Sequence, residues 1–253
     1  MIGVYFSGSG NTKYCVNKFL IDCIGISNIF PIEDRQSLEE IKKKDNIVLA
    51  YPIYYSNLPK IVYDFIVDNR SVWIQKNVFI IATMGLFSGD GAGLSARLLK
   101  RYGANIVGGL HLKMPDSVAD VKALKRSYDK NVKLIKDADK KIEIAANNFK
   151  AGEAAQEGLN FLYHIAGLFG QRLWFYNKTK DYTNKLKIDH DKCVGCGKCA
   201  LHCPMKNLQM VNKKAVSNNR CTMCYRCINQ CPQKAITLLG DKVISQHCMS
   251  SYI

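Results

Sequence analysis

The stretch IGVYFSGSGNTKYCVNKFLIDC, residues 2–23, opens on an apolar run, crosses a Ser/Gly turn and continues with helical spacing. IGVYFS (2–7) reads as a strand and TKYCVNKFLIDC (12–23) as an amphipathic helix. A strand that feeds a helix through a short glycine-containing loop begins a βαβ unit, and the alternation continues to residue 150. ISNIFPI (26–32), NIVLAY (46–51), NVFIIAT (77–83) and ANIVGGLHLK (104–113) read as further strands. SLEEIKK (37–43), LPKIVYDFIVDN (58–69), a segment from about 90 to 101 and a lysine-rich one from about 117 to 150 read as helices. Pro59 suits a first helical turn. Continuous apolar strands between amphipathic helices predict an α/β fold, a doubly wound parallel sheet covered on both faces. Five strands suit the order 2-1-3-4-5.

Further along, the pattern changes twice. GLNFLYHIAGLFGQRLWFY (158–176) is apolar and aromatic, but Asn160, His164, Gln171 and Arg172 interrupt it. A membrane span needs about 20 nearly uninterrupted apolar residues, so no transmembrane span is expected and a docking helix is the reading. His164 reads as a hydrogen-bonded helix histidine. The expected organisation is a first domain at 1–150, a helical connecting segment at 151–181, and a smaller second domain with a C-terminal tail at 182–253.

The second domain is built on a repeat. CVGCGKCALHCP (193–204) returns as CTMCYRCINQCP (221–232), and a shift of 28 residues also maps Lys206 onto Lys234 and Leu208 onto Ile236. Each half offers a ligand loop, a Pro-started helical turn and a short strand. C-x2-C-x2-C-x3-C-P, present twice, is the spacing of bacterial ferredoxins with two [4Fe–4S] clusters. The tight steps wrap three thiolates around one cube, and the proline after the fourth cysteine turns the chain toward the other. The expected ligand sets are Cys193, Cys196, Cys199 and Cys231, then Cys221, Cys224, Cys227 and Cys203. Structural zinc would prefer two C-x2-C pairs and would leave four cysteines idle. Cys15 and Cys23, on the first helix, read as core packing, and Cys248, beside His247, as an exposed tail residue.

Residues 182–245 thus resemble the bacterial-type two-cluster ferredoxins, an α+β fold that carries low-potential electrons. Lysines and arginines surround the bursts, among them Lys198, Lys206, Arg220, Arg226 and Lys234, where the common type is acidic. Positive charge stabilises the more negative reduced cluster, so a higher potential is expected.

The loop FSGSGNTKYC (6–15) lies between the first strand and first helix, where bare N–H groups attract phosphate. Lys13 stands where a dinucleotide loop needs glycine, and no Walker pattern occurs. Ser7, Gly8, Ser9, Gly10, Asn11 and Thr12 resemble the FMN-phosphate loop of flavodoxins. YPIYYSNLP (51–59) resembles the loop beside the isoalloxazine ring, through Pro52, Ile53, Tyr54, Tyr55 and Ser56. TMGLFSGDGAG (83–93) adds Thr83, Met84, Gly85, Phe87, Ser88, Gly89 and Asp90. Residues 52–58 contain no glycine, where many flavodoxins place one; Gly85 is the substitute.

The whole chain resembles the flavodoxin–ferredoxin fusion proteins of anaerobic bacteria. The resemblance implies a flavodoxin-like domain holding one non-covalent FMN and a ferredoxin-like domain holding two [4Fe–4S] clusters. It implies electron transfer between them and to or from redox partner proteins. The alternative is an iron–sulfur flavoenzyme reducing a quinone, nitro compound or flavin, with Tyr54, Tyr55 and Asp90 as candidate acids.

Bulk properties fit this picture. At 47% hydrophobic and 23% charged, the chain has an ordinary globular composition. MIGVYFS shows no basic lead or cleavage site, so a cytoplasmic location is expected, where eleven cysteines point to metal or redox roles. The net charge is +15. Two clusters with their thiolates and a flavin phosphate would reduce it to about +9. No RNP, helix-turn-helix or basic-helix pattern accompanies it, so nucleic acid is not expected, and the charge reads as a surface for an acidic partner protein or as a solvated lysine-rich surface.

Overall fold

The computed structural model describes residues 1–86, 89, 91–160, 165 and 181–252. β1 (Ile2–Tyr5), β2 (Ile29–Pro31), β3 (Asn46–Pro52), β4 (Asn77–Met84) and β5 (Asn105–Lys113) form one sheet, all parallel, in the order β2-β1-β3-β4-β5. α1 (Asn11–Ile24), α2 (Gln36–Lys43), α3 (Lys60–Asp68), α4 (Gly91–Arg101) and α5 (Tyr128–Lys150) connect and cover it. The fold is the expected flavodoxin-like doubly wound sheet.

The strand alternation sorts side chains into two cores. Ile47, Leu49 and Tyr51 of β3 pack with Val62, Ile66 and Trp73 on one face. Val48 and Ala50 pack with Val16, Phe19, Leu20 and Ile142 on the other. Strands buried on both faces need no polar side, which is why they read as unbroken apolar runs. Cys15 and Cys23 sit in the second core as packing residues. Burial pushes the Cys23 thiol up to about 11.

Two helix expectations need correction. The chain from 117 does not form the start of a long helix: α5 begins at Tyr128, capped by Ser127, whose side chain accepts from the Lys130 N–H. Residues 114–127 instead run irregularly with a short 3-10 turn at Lys122–Leu124, because Asp116 and Asp120 bind local and distant backbone N–H groups. The other correction lies in the cysteine repeat. Its helices, α6 (Lys198–Leu201) and α7 (Arg226–Gln230), precede Pro204 and Pro232, and each proline opens only a hydrogen-bonded turn, with the Lys206 N–H donating to Cys203 O at 3.0 Å and the Lys234 N–H to Cys231 O at 3.1 Å. The x3 step before the fourth cysteine is the helix itself.

The smaller part is α+β. β6 (Lys187–Ile188) pairs antiparallel with β9 (Ile236–Thr237), and β7 (Leu208–Val211) with β8 (Lys214–Ser217). Its core joins Leu186, Leu208, Met223, Tyr225, Ile228, Ile236 and Leu238.

The three cores exchange members. Ala119, from the loop after β5, belongs to the third core, Cys224 to the first and Met249 to the second. The buried Asp120 carboxylate accepts from Tyr225 Oη at 2.9 Å and from the Leu238 and Leu239 N–H groups at 2.7 and 3.0 Å. Asn229 Nδ2 donates to Ser117 O at 2.8 Å. Most of the expected connecting segment, including His164, lies outside the described residues. Among the described residues, no helix is long and apolar enough to cross a membrane.

Candidate functional site

Doubly wound sheets bind ligands beyond the carboxyl ends of their strands, and here four such loops converge. Between β1 and α1, Gly10 takes φ +97°, a region glycine enters freely, and its N–H donates to Ser7 Oγ at 3.1 Å. No side chain caps α1 and its first turn holds no acidic residue. The positive end of a 14-residue helix is therefore left uncompensated by side chains, which favours an anion. Thr12 Oγ1 shares a 2.7 Å hydrogen bond with Thr83 Oγ1, tying α1 to the end of β4.

After β3, the Ile53 N–H donates to Thr83 O at 2.8 Å. Tyr54 and Asn57 then exchange backbone hydrogen bonds around Tyr55 and Ser56, at φ +50° and +56°. Glycine, asparagine or aspartate usually occupies such paired left-handed positions, and other residues there cost about 1–2 kcal/mol each. Strain of this kind concentrates at functional sites. Ser56 is fully buried beneath the turn. Burial drives the Tyr54 hydroxyl well above its ordinary pKa.

After β4, Gly85 O accepts from Arg126 at 3.0 Å, and a Cβ on Gly85 would lie 2.5 Å from Asp116 Oδ2. Phe87, Ser88 and Asp90 lie outside the described residues. After β5, Met114–Val118 form the fourth loop. Burial raises the Asp116 carboxyl pKa, against the opposing effects of the Val118 N–H bond and Arg126.

These loops enclose a cavity of about 210 Å³. Of the residues expected from sequence, Ser7, Gly8, Ser9, Asn11, Thr12, Pro52, Ile53, Tyr54, Tyr55, Thr83, Met84 and Gly85 line it. Gly10, Ser56 and Gly89 do not. Sequence reasoning missed Leu86, the Met114–Val118 loop and Leu124, which were read as loop or helix. It also missed Met223, Tyr225 and Leu239, which wall the cavity from the smaller part. No periodicity announces a contact across more than a hundred residues.

The cysteine bursts meet this cavity asymmetrically. One small pocket is lined by Cys193, Cys196, Cys199 and Cys231, and another by Cys203, Cys221, Cys224 and Cys227. The N–H groups of Asn207 and Ala235, equivalent in the repeat, point at Cys203 and Cys231 Sγ at 3.2 and 3.3 Å. Such N–H···S contacts favour thiolate ligands. Burial pushes the Cys224 thiol up to about 12. Cys196 is exposed, whereas Cys224 and Cys227 are buried. A Cβ on Gly8 would lie 2.0 Å from Cys224 O, so the second burst rests directly on the loop before α1. Beside it, Arg226 donates to Ser7 O at 2.8 Å and pairs with Glu33 at 2.6 Å.

The tail is not exposed as expected. His247 and Met249 are each only 3% exposed and Cys248 is half-buried, because the chain threads between α7 and the loop before α1. The His247 N–H donates to Asn229 Oδ1 at 2.8 Å, and the Met249 N–H to Ser9 O at 2.9 Å. Burial, with Lys125 nearby, lowers the His247 pKa to about 4.

Comparison with known proteins gives two family matches. Residues 2–106 match the flavodoxin domain and residues 185–232 the 4Fe-4S dicluster domain. Similar solved structures include two-electron reduced Megasphaera elsdenii flavodoxin, at 20% identity over 58% of this chain and 99% of that one, TM-score 0.41. Oxidised Flavodoxin 2 from Bacillus cereus is 18% identical over 59% and 97%, TM-score 0.44. Fusobacterium nucleatum flavodoxin bound to flavin mononucleotide is 15% identical over 59% and 96%, TM-score 0.41. No curated protein matches the chain significantly.

Proposed function

The chain is a flavodoxin–ferredoxin fusion with a redox electron-transfer role, and from that premise we propose that it relays electrons internally between two [4Fe–4S] clusters and one FMN. Redox partner proteins would supply or accept those electrons at its surface. FMN exchanges one or two electrons and each cluster one, so the pair converts between the two modes.

The residues present fit both groups. Ser7, Ser9, Thr12 and the first turn of α1 would hold the phosphate. Ile53, Tyr54, Tyr55, Met84 and Gly85, with Met223 and Tyr225 opposite, would enclose the ring and exclude water. The two rings of four cysteines would hold the clusters, with Cys231 serving the first burst and Cys203 the second. We place the functional division near the expected boundaries, 1–150 and 182–253, with FMN recognition shared between the two parts.

One observation carries the relay reading: the second burst packs against the candidate flavin cavity while Cys196 of the first is exposed. That supports a spatial order from surface to first cluster, second cluster and flavin. The test is anaerobic stopped flow after rapid reduction of the clusters. Flavin reduction should be first-order and independent of protein concentration. Gly8→Ala, whose Cβ would meet Cys224 O at 2.0 Å and push the second burst off the loop, should slow it at saturating FMN. A rate that scales with protein concentration overturns the reading.

The flavoenzyme alternative has one favouring observation, the half-buried Asp116 carboxyl at the cavity. Its raised pKa brings it closer to a proton donor at neutral pH. Turnover with a quinone or nitro compound that Asp116→Asn abolishes would favour it over a carrier.

A further inference from the structure

Asn11, the first residue of α1, is held at both ends of its side-chain amide. Nδ2 donates to Pro115 O at 2.7 Å, and Oδ1 lies 2.8 Å from His247 Nε2. A carbonyl cannot donate, so the Pro115 bond fixes the orientation of the amide and places its oxygen toward the histidine. His247 Nε2 must then carry the proton. The ring is buried and neutral at ordinary pH, with Nδ1 left as the acceptor facing Tyr252 Oη at 3.4 Å.

The segment that carries this ring is anchored on three sides. Asn229 of α7 holds the His247 backbone, and the Met249 N–H holds Ser9. Met249 also packs on Gly10, where an added Cβ would come within 2.9 Å of it. Tyr252 stacks on Tyr128 of α5 with ring centroids 5.2 Å apart and accepts from Asn131 at 3.0 Å. The histidine is therefore not a loose tail residue that happens to touch Asn11. It is presented to the first turn of α1 by a braced segment lying outside residues 2–106.

We propose that His247 is a positioning residue for phosphate recognition. Its Nε2–H sets the Asn11 amide, and through it the first turn of α1, in the arrangement that receives an anion. This rests on the flavin reading above and deepens it: the phosphate loop is completed by a residue 236 positions away in sequence. Without that donor the buried Asn11 oxygen is left unpaired and the first turn is free to shift.

The test compares FMN with riboflavin, which lacks the phosphate. Both are titrated by fluorescence onto cluster-loaded, full-length wild type, His247→Leu and His247→Gln, with iron and sulfide content as the control for folding. The wild type should prefer FMN. His247→Leu should weaken FMN roughly tenfold to a hundredfold, the effect of one buried unpaired acceptor. Riboflavin affinity should stay unchanged. Glutamine, whose amide can donate to the same oxygen, should restore most of the loss. Equal weakening of both flavins, or no weakening of either, overturns the proposal. Wild type that binds neither flavin overturns the flavin reading itself, and this proposal with it. Hydrogen exchange on the wild type decides independently of whether the leucine variant folds. FMN should slow exchange in peptides spanning 244–252 and riboflavin should not; an equal response to the two overturns the assignment.

Discussion

A histidine that stays neutral inside a folded protein ties stability to acidity, and His247 does so with a definite sign. Its folded pKa is about 4, below the ordinary 6.5, so the unfolded chain binds the proton first. The stability associated with its burial is fully present above pH 6.5 and falls as acid approaches pH 4. At pH 5 the loss should be about 2 kcal/mol, and at the limit about 3 kcal/mol. Urea midpoints at pH 7 and pH 5 check this by difference. Wild type should lose that much more than His247→Gln, which has nothing to titrate; parallel losses would show that the ring is not the titrating group. No local pattern in the sequence marked His247 for this role. A single histidine beside a cysteine near Ile253 has no periodicity, and its partner Asn11 stands in the first helix.

The two cysteine bursts show how one element is adapted from its copy. At the equivalent left-handed positions the first burst has Gly195 and Gly197, at φ +72° and +73°, and the second has Met223 and Tyr225, both at +58°. The second burst carries about 1–2 kcal/mol of strain at each position, and in return it has side chains where the first has none. Those two side chains wall the cavity. Burying each contributes roughly 1.5–3 kcal/mol, enough to offset the strain. The double variant Met223→Gly, Tyr225→Gly should therefore keep its iron and sulfide, since the copy holds its loop with glycine. It should bind FMN at least about tenfold more weakly, by loss of that packing. Undiminished FMN affinity would show that the second burst is not part of the site. At this scale the sequence was informative where packing is local. β1, β3 and β4 announced themselves because strands buried on both faces are near-continuous apolar runs, and the edge strand β5 did so through its central apolar residues. Residues 117–127 misled because VKALKRS has helical composition, whereas Asp116 and Asp120 are spent on backbone donors that hold the chain open. The cavity loops of the first half were legible as loops, but the wall supplied by Met223, Tyr225 and Leu239 was not.

As a whole, the molecule presents a basic surface at the end where its first burst is open. Val194 and Leu201 are 64% and 80% exposed there, Lys198 and Lys213 are exposed nearby, and Lys192 is exposed but paired with Asp189 at 2.6 Å. Attraction between such a surface and an acidic electron donor is screened by salt. Reduction by an acidic two-cluster ferredoxin, used as a probe, should slow steeply between low and physiological ionic strength. Lys198→Glu should slow it further at low salt, and high salt should remove the difference; salt-independent reduction would exclude electrostatic docking at this face. The braced segment around His247 has a consequence of another kind, for the order in which the protein is made. The loop at residues 7–12 leaves the ribosome before the cysteine bursts, and the histidine proposed to complete it follows only after both bursts have been synthesised. The strands and helices of the first half can form early, as N-terminal domains do, but a nascent chain would hold FMN poorly until the iron–sulfur half has folded onto it. Flavin would thus be the last cofactor to be retained, and a chain that failed to assemble its clusters would not carry a reactive flavin unattended.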